Sequence, residues 1–164
     1  MCIRDSIEFG TESFCDRTLE AYGKHFTFGD VVRASRLALD EGVYYAHFLI
    51  LGGYGDTREN VRETIENSRR MEYTVMFPYA GMRIYPHTRL AELAAKEGAI
   101  GRDDDLMAPS YYISRDFDLE EVRRAALATG KAWVFPDDPQ SALADTLRLK
   151  RNKKGPLWEY LRKP

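Results

Sequence analysis

The residues with the clearest chemical potential lie in the run YYAHFLILGGYGDT at positions 44–57, where Gly52, Gly53 and Gly55 sit between an apolar stretch and a helix start. Glycines allow backbone angles and close approaches that side chains forbid. Between a strand end and a helix N-terminus they present free N–H groups, which suits an anionic or polar ligand. A tight turn holding nothing is the alternative, because glycine content does not fix function. A second polar cluster, Thr11-Glu12-Ser13, follows the apolar stretch 7–10. Cys2 and Cys15 form neither a disulfide framework nor a zinc site.

The elements that must position these groups follow from periodicity and punctuation. Residues 44–51 are aromatic and aliphatic apart from His47, as in a strand buried on both faces of a parallel sheet. Residues 7–10 read as a strand and 15–22 as a short helix closed by Gly23, with Lys24 and His25 in an exposed connection. Thr27 caps a helix over 28–41 that buries Val31, Val32, Ser35, Ala38 and Leu39, and Gly42 ends it. Asp56 or Thr57 caps the next helix, to about 72, with Val61, Ile65 and Ser68 facing the sheet. A strand over 73–78 continues irregularly to 88, and a helix from Thr88 stops at Gly98. This order of strand and helix is that of βαβ units in a parallel sheet or barrel.

Beyond Gly98 the pattern changes to a charged loop, an extended segment at 107–114, and a helix capped by Asp118 and stopped by Gly130. A short apolar piece at 133–135, a last helix over 141–151 and a folded-back GPLW with a docked Trp158 complete the reading.

The chain has 164 residues, 44% hydrophobic and 30% charged, with a net charge of −2. That balance fits one soluble domain or part of one and gives no global argument for nucleic acid. The basic cluster Arg148, Lys150, Arg151, Lys153 and Lys154 reads as a solvated helix end. No apolar run is long enough to span a membrane, and the start is not a secretory signal, so a cytoplasmic setting is expected. MCIRDS at 1–6 resembles an adapter-derived lead-in, which puts the start of native sequence at Ile7.

Three strand ends together resemble one family. FGTES at 9–13, LGGYGDT at 51–57 and RIYPHT at 83–88 are similar to the fourth, fifth and sixth strand ends of a radical S-adenosylmethionine (SAM) barrel. GGYGDT, GMRIYP, PSYYIS and GPLWEYL resemble the cobalamin-binding proteins of that family, including those associated with lipid biosynthesis. The resemblance implies an α/β fold, the second half of a partial (β/α)6 TIM-like barrel over 7–100, with a mostly helical extension over 101–164. It implies S-adenosylmethionine, a [4Fe–4S] cluster and cobalamin as cofactors, which carry the radical and methyl-transfer chemistry. The substrate would be a small molecule or lipid-like.

By the same resemblance, Glu12 and Ser13 contact the ribose or amino acid part of S-adenosylmethionine, and Lys24 faces its methionine carboxylate. Gly52, Gly53 and Gly55 admit the nucleoside, and Tyr85 lies beside it. Arg83 and His47 are substrate-side candidates, although alternation turns His47 away from Phe48. Phe48 stands where relatives carry a ribose-binding acid; Tyr54, Asp56 and His87 replace the usual proline, glutamate and glycine. The three-cysteine CxxxCxxC loop is absent, so no metal ligands are expected in this chain. The expectation is an inactive C-terminal piece whose partner is the missing N-terminal half. A free-standing α/β module binding a nucleotide or phosphate at 52–57 is the alternative.

Overall fold

The computed structural model of the chain describes residues 6–101, 104–136 and 157–164. Its centre is a four-stranded sheet of β1 (Ser6–Glu12), β2 (Tyr44–Leu51), β3 (Thr74–Ala80) and a short late strand, β6 (Ala132–Trp133), in that spatial order and parallel throughout. The helices α1 (Asp16–Ala21) and α2 (Phe28–Asp40) connect β1 to β2, and α3 (Arg58–Asn67) connects β2 to β3. The chain is therefore α/β with a parallel sheet.

The helix starts are fixed locally. Thr27 and Asp30 form a reciprocal capping box, and the hydroxyls of Thr57 and Thr88 accept from the N–H groups of Asn60 and Ala91. Asp118 accepts from Glu120 and Glu121 at the start of α5 (Leu119–Ala128). The residues read as β6's apolar neighbourhood extend the sheet, since the Val134 N–H donates to the Met76 carbonyl at 2.9 Å.

Alternation gives the sheet two faces. On one, Leu49, Leu51 and Met76 pack with Phe28 and Val31 of α2, Val61 and Ile65 of α3, and Val122 of α5. On the other, Ala46, Val75 and Ala132 meet Trp158 from the closing segment, as the docked tryptophan was expected to do. Trp158 donates its indole N–H to Glu8 Oε1 at 3.2 Å. The Tyr73 N–H donates to the Lys163 carbonyl at 2.7 Å, which ties the chain's end across the N-terminal side of the sheet.

After Ala80 the chain leaves the sheet. Gly81 has φ +74, and a Cβ there would lie 2.5 Å from the Tyr112 carbonyl oxygen, so only glycine fits. The segment expected to end a core strand instead forms β4 (Met82–Ile84), which pairs antiparallel with β5 (Ser110–Tyr112). This antiparallel pair packs Ile84 and Tyr112 against Ala94 of α4 (Arg89–Lys96) and Leu106. The expected helix over 141–151 and the basic cluster lie outside the described residues. Among the described residues no helix is long and apolar enough to cross a membrane.

Candidate functional site

Glu12 ends β1 in an unusual way. The β1–β2 register shifts between Gly10 and Glu12, and Glu12 takes φ 69. For a residue with a Cβ that conformation costs roughly 1–2 kcal/mol, and such strain collects at functional positions. Its carboxylate folds back over Gly10, with Oε1 3.8 Å from where a Gly10 Cβ would stand. Gly10 pairs with Phe48 and Phe48 with Phe77, so the carboxylate lies on the sheet face opposite the helices. Glu12 is not a helix cap, because Cys15 holds that place in α1 without a side-chain bond.

Lys24 meets this carboxylate, Nζ to Oε1, at 3.1 Å. Its backbone N–H donates to the Leu19 carbonyl, which anchors it at the end of α1. Both side chains are partly exposed, and an ion pair in that setting contributes roughly 0.5–1 kcal/mol, too little to explain a strained residue by stability alone. The structure thus joins two of the expected site residues, twelve positions apart, into one charged pair.

Beside the pair runs a ladder of rings. Phe48 stacks on Phe77 at 5.1 Å and 20°, and on Tyr79 at 6.1 Å and 15°. Tyr79 is 42% exposed. Phe48 is the middle ring of this ladder.

The glycine turn is occupied from within the chain. A Cβ on Gly52 would lie 2.4 Å from the Phe117 ring, and one on Gly53 would lie 2.3 Å from the Tyr22 hydroxyl. Gly55 faces Ala21. These glycines admit neighbouring side chains of the chain itself: Phe117, Tyr22 and Ala21. The turn's anion is also internal. Asp56 accepts from the Gly52 N–H at 2.9 Å, the Thr18 hydroxyl at 2.6 Å and the Tyr22 hydroxyl at 3.3 Å. Burial, foremost, pushes the Asp56 carboxyl above its ordinary pKa, and burial followed by Asp56 raises Tyr22. A phosphate would have to displace this carboxylate, which argues against the nucleotide-module alternative. Thr57 rather than Asp56 caps α3.

The remaining candidates separate from the pair. Ser13 is buried, bonded to the Thr64 hydroxyl at 2.8 Å and to the Cys15 N–H at 3.1 Å, so it ties the end of β1 to α3. His47 is fully buried on the helix-covered face, packed against Phe9 and Phe14. The Ser35 hydroxyl donates to the Val31 carbonyl and so accepts from His47 Nε2–H at 3.1 Å, while Thr11 donates to Nδ1 at 2.7 Å. Burial lowers the His47 pKa from 6.5 to about 3. His47 is thus a satisfied, buried histidine on the helix-covered face. Arg83 lies over the Tyr85 ring at 4.8 Å, both exposed at the separate β4–β5 pair rather than on the core sheet. His87 has φ 61, a left-handed conformation that favours glycine.

No metal or cluster is built from these residues. Cys15 is buried in the core, and among the described residues no group of three His, Cys, Asp or Glu could hold a metal ion. This donor set does not fit an iron–sulfur cluster, which needs thiolates.

No protein-family model matches the chain. An uncharacterized methyltransferase of Pyrococcus horikoshii is 30% identical over 87 residues, covering 50% of this chain and 19% of that protein. The chain therefore spans about a fifth of that curated relative's length. The radical S-adenosylmethionine methyltransferase TsrM of Kitasatospora setae, solved with tryptophan substrate and the SAM analogue aza-SAM, superposes with a TM-score of 0.59 at 18% identity, over 81% of this chain and 32% of TsrM. A second TsrM structure, with cobalamin and a [4Fe–4S] cluster, gives 0.47 at 26% identity over 55% and 18% of the two chains. The α/β fold with a parallel sheet is shared with a radical SAM methyltransferase.

Proposed function

We propose that this chain supplies part of the S-adenosylmethionine pocket and of the substrate wall of a radical SAM enzyme of the cobalamin-dependent methyltransferase type. In this reading the sheet is the second half of a partial barrel, with ligands at the C-terminal ends of its strands, as in βα barrels generally. The supporting observation is the Glu12–Lys24 pair, held by a strained residue over Gly10 on the helix-free face.

The residues fit the cofactor's charges. Glu12 can accept two hydrogen bonds from ribose hydroxyls or hold the ammonium group, and Lys24 can hold the methionine carboxylate. The two charges neutralise each other without ligand and are complementary to a zwitterion when it enters. Gly10 leaves the space beside them free of side chain. S-adenosylmethionine supplies a sulfonium-activated methyl or adenosyl group; cluster thiolates and cobalamin would come from residues outside this chain. The narrower placing among lipid-biosynthesis proteins, with a lipid-like substrate, rests on the sequence runs alone.

The test is a backbone-amide NMR titration of the 164-residue chain with S-adenosylmethionine. Saturable shifts at Gly10, Glu12 and Lys24 are expected, weakened about tenfold in Glu12→Gln and Lys24→Ala, a plausible loss for one charged hydrogen bond. Shifts confined to residues 52–57, or none at millimolar ligand, would overturn the assignment.

A further inference from the structure

We infer that the Phe48–Phe77–Tyr79 ladder seats the planar aromatic ring of a small-molecule substrate, next to the Glu12–Lys24 pair. This rests on the S-adenosylmethionine reading only in calling that ring the substrate's; the seat itself rests on the rings. The planes of Phe77 and Tyr79 lie 20° and 15° from that of Phe48, and Tyr79 is 42% exposed. Parallel rings add an oriented π-face that an acyl chain cannot use and a flat heterocycle can.

The same face already holds one indole, and Phe77 packs against the cluster that receives it. Trp158 lays its indole on the lower part of this face, with its N–H held at 3.2 Å by Glu8, two residues before Gly10 on β1. One step up the same strands, Gly10 offers no side chain between the Glu12 carboxylate and Phe48, which leaves room for a flat group. The Tyr79 hydroxyl is the ladder's one polar side-chain atom, so the seat suits a neutral ring rather than a phosphate or a charged head.

The probe is 5-fluoroindole, followed by fluorine NMR line broadening with the full chain, against fluorocyclohexane as an aliphatic control. Saturable binding of the indole is expected, weakened roughly three- to tenfold in Tyr79→Leu and Phe48→Leu, which keep apolar bulk and remove a ring face. Circular dichroism checks each variant's fold. If Phe48→Leu does not fold, Tyr79→Leu at the exposed ring decides. Glu12→Gln should leave indole binding within twofold while weakening S-adenosylmethionine, so the two readings fail separately. Equal binding of fluorocyclohexane, or no effect of Tyr79→Leu, would overturn the proposal. Binding of the indole without any binding of S-adenosylmethionine would leave the ring seat standing and remove the cofactor reading.

Discussion

The helix-free face of the sheet is two surfaces built on the same strands. At the N-terminal half, small residues (Ala46, Val75 and Ala132) form a shallow bed that Trp158 covers, and the indole N–H is satisfied by Glu8. At the C-terminal half, Phe48, Phe77 and Tyr79 stand up as rings, flanked by a glycine and a charged pair. The covered half satisfies its polar atom and buries its apolar area, as a stabilising surface should. The open half holds a strained glutamate and an exposed ring, which stability alone would select against. In βα architectures this polarity recurs, with stability on one end of the strands and ligands on the other.

Removing the cover should produce the largest effect. Trp158→Ala is expected to cost about 3 kcal/mol or more, typical of a deleted core aromatic, read from the urea midpoint at unchanged slope. Binding of 5-fluoroindole should stay within twofold; a matching loss there would mean that the halves are one surface. Acid should act through the helix side of the same sheet. His47 has a folded pKa lowered from 6.5 to about 3, so its contribution is present above pH 6.5 and lost as pH falls toward 3. The full loss is bounded at about 5 kcal/mol, and His47→Gln should flatten that part of the pH–stability curve. Asp56 works with the opposite sign, because its raised pKa lowers stability as pH rises from 3.8 through the folded value. Asp56→Asn removes that slope and, by leaving the turn's donors poorly paired, costs about 1–2 kcal/mol at neutral pH in the same denaturation.

What was legible in the sequence was mostly local. Thr27, Thr57, Thr88 and Asp118 cap the helices they precede because a cap depends on two or three neighbouring residues. The parallel βαβ order was legible from alternation of element types, and Trp158's docking from an apolar ring in a polar tail. The rest depends on partners brought together only by folding. Asp56 is 38 residues from Thr18, and nothing in GGYGDT says that its own carboxylate fills the turn. Glu12 and Lys24 were each singled out through resemblance, but their pairing needed α1 to fold back on β1. Phe48 looked like a loss, because its ring partners lie on another strand and only the β2–β3 register aligns them. Gly10 went unremarked as a site residue; the signal was its two-residue spacing from Glu12, which the bulge converts into contact.

The smallest structural change gives the sharpest separation of the two halves. Gly10 carries no positive-φ requirement, and an added Cβ would meet only Glu12 Oε1, at an ordinary 3.8 Å. Alanine in a strand loses less entropy on folding than glycine, so Gly10→Ala should be neutral or stabilising by up to about 0.5–1 kcal/mol. The same methyl would project into the space between the Glu12 carboxylate and Phe48, where both proposed ligands approach. Gly10→Ala should therefore weaken S-adenosylmethionine and 5-fluoroindole together while the urea midpoint holds or rises. If both ligands bind Gly10→Ala as they bind the native chain, the open half is not where they sit, and the rings of the ladder are core awaiting a cover of their own.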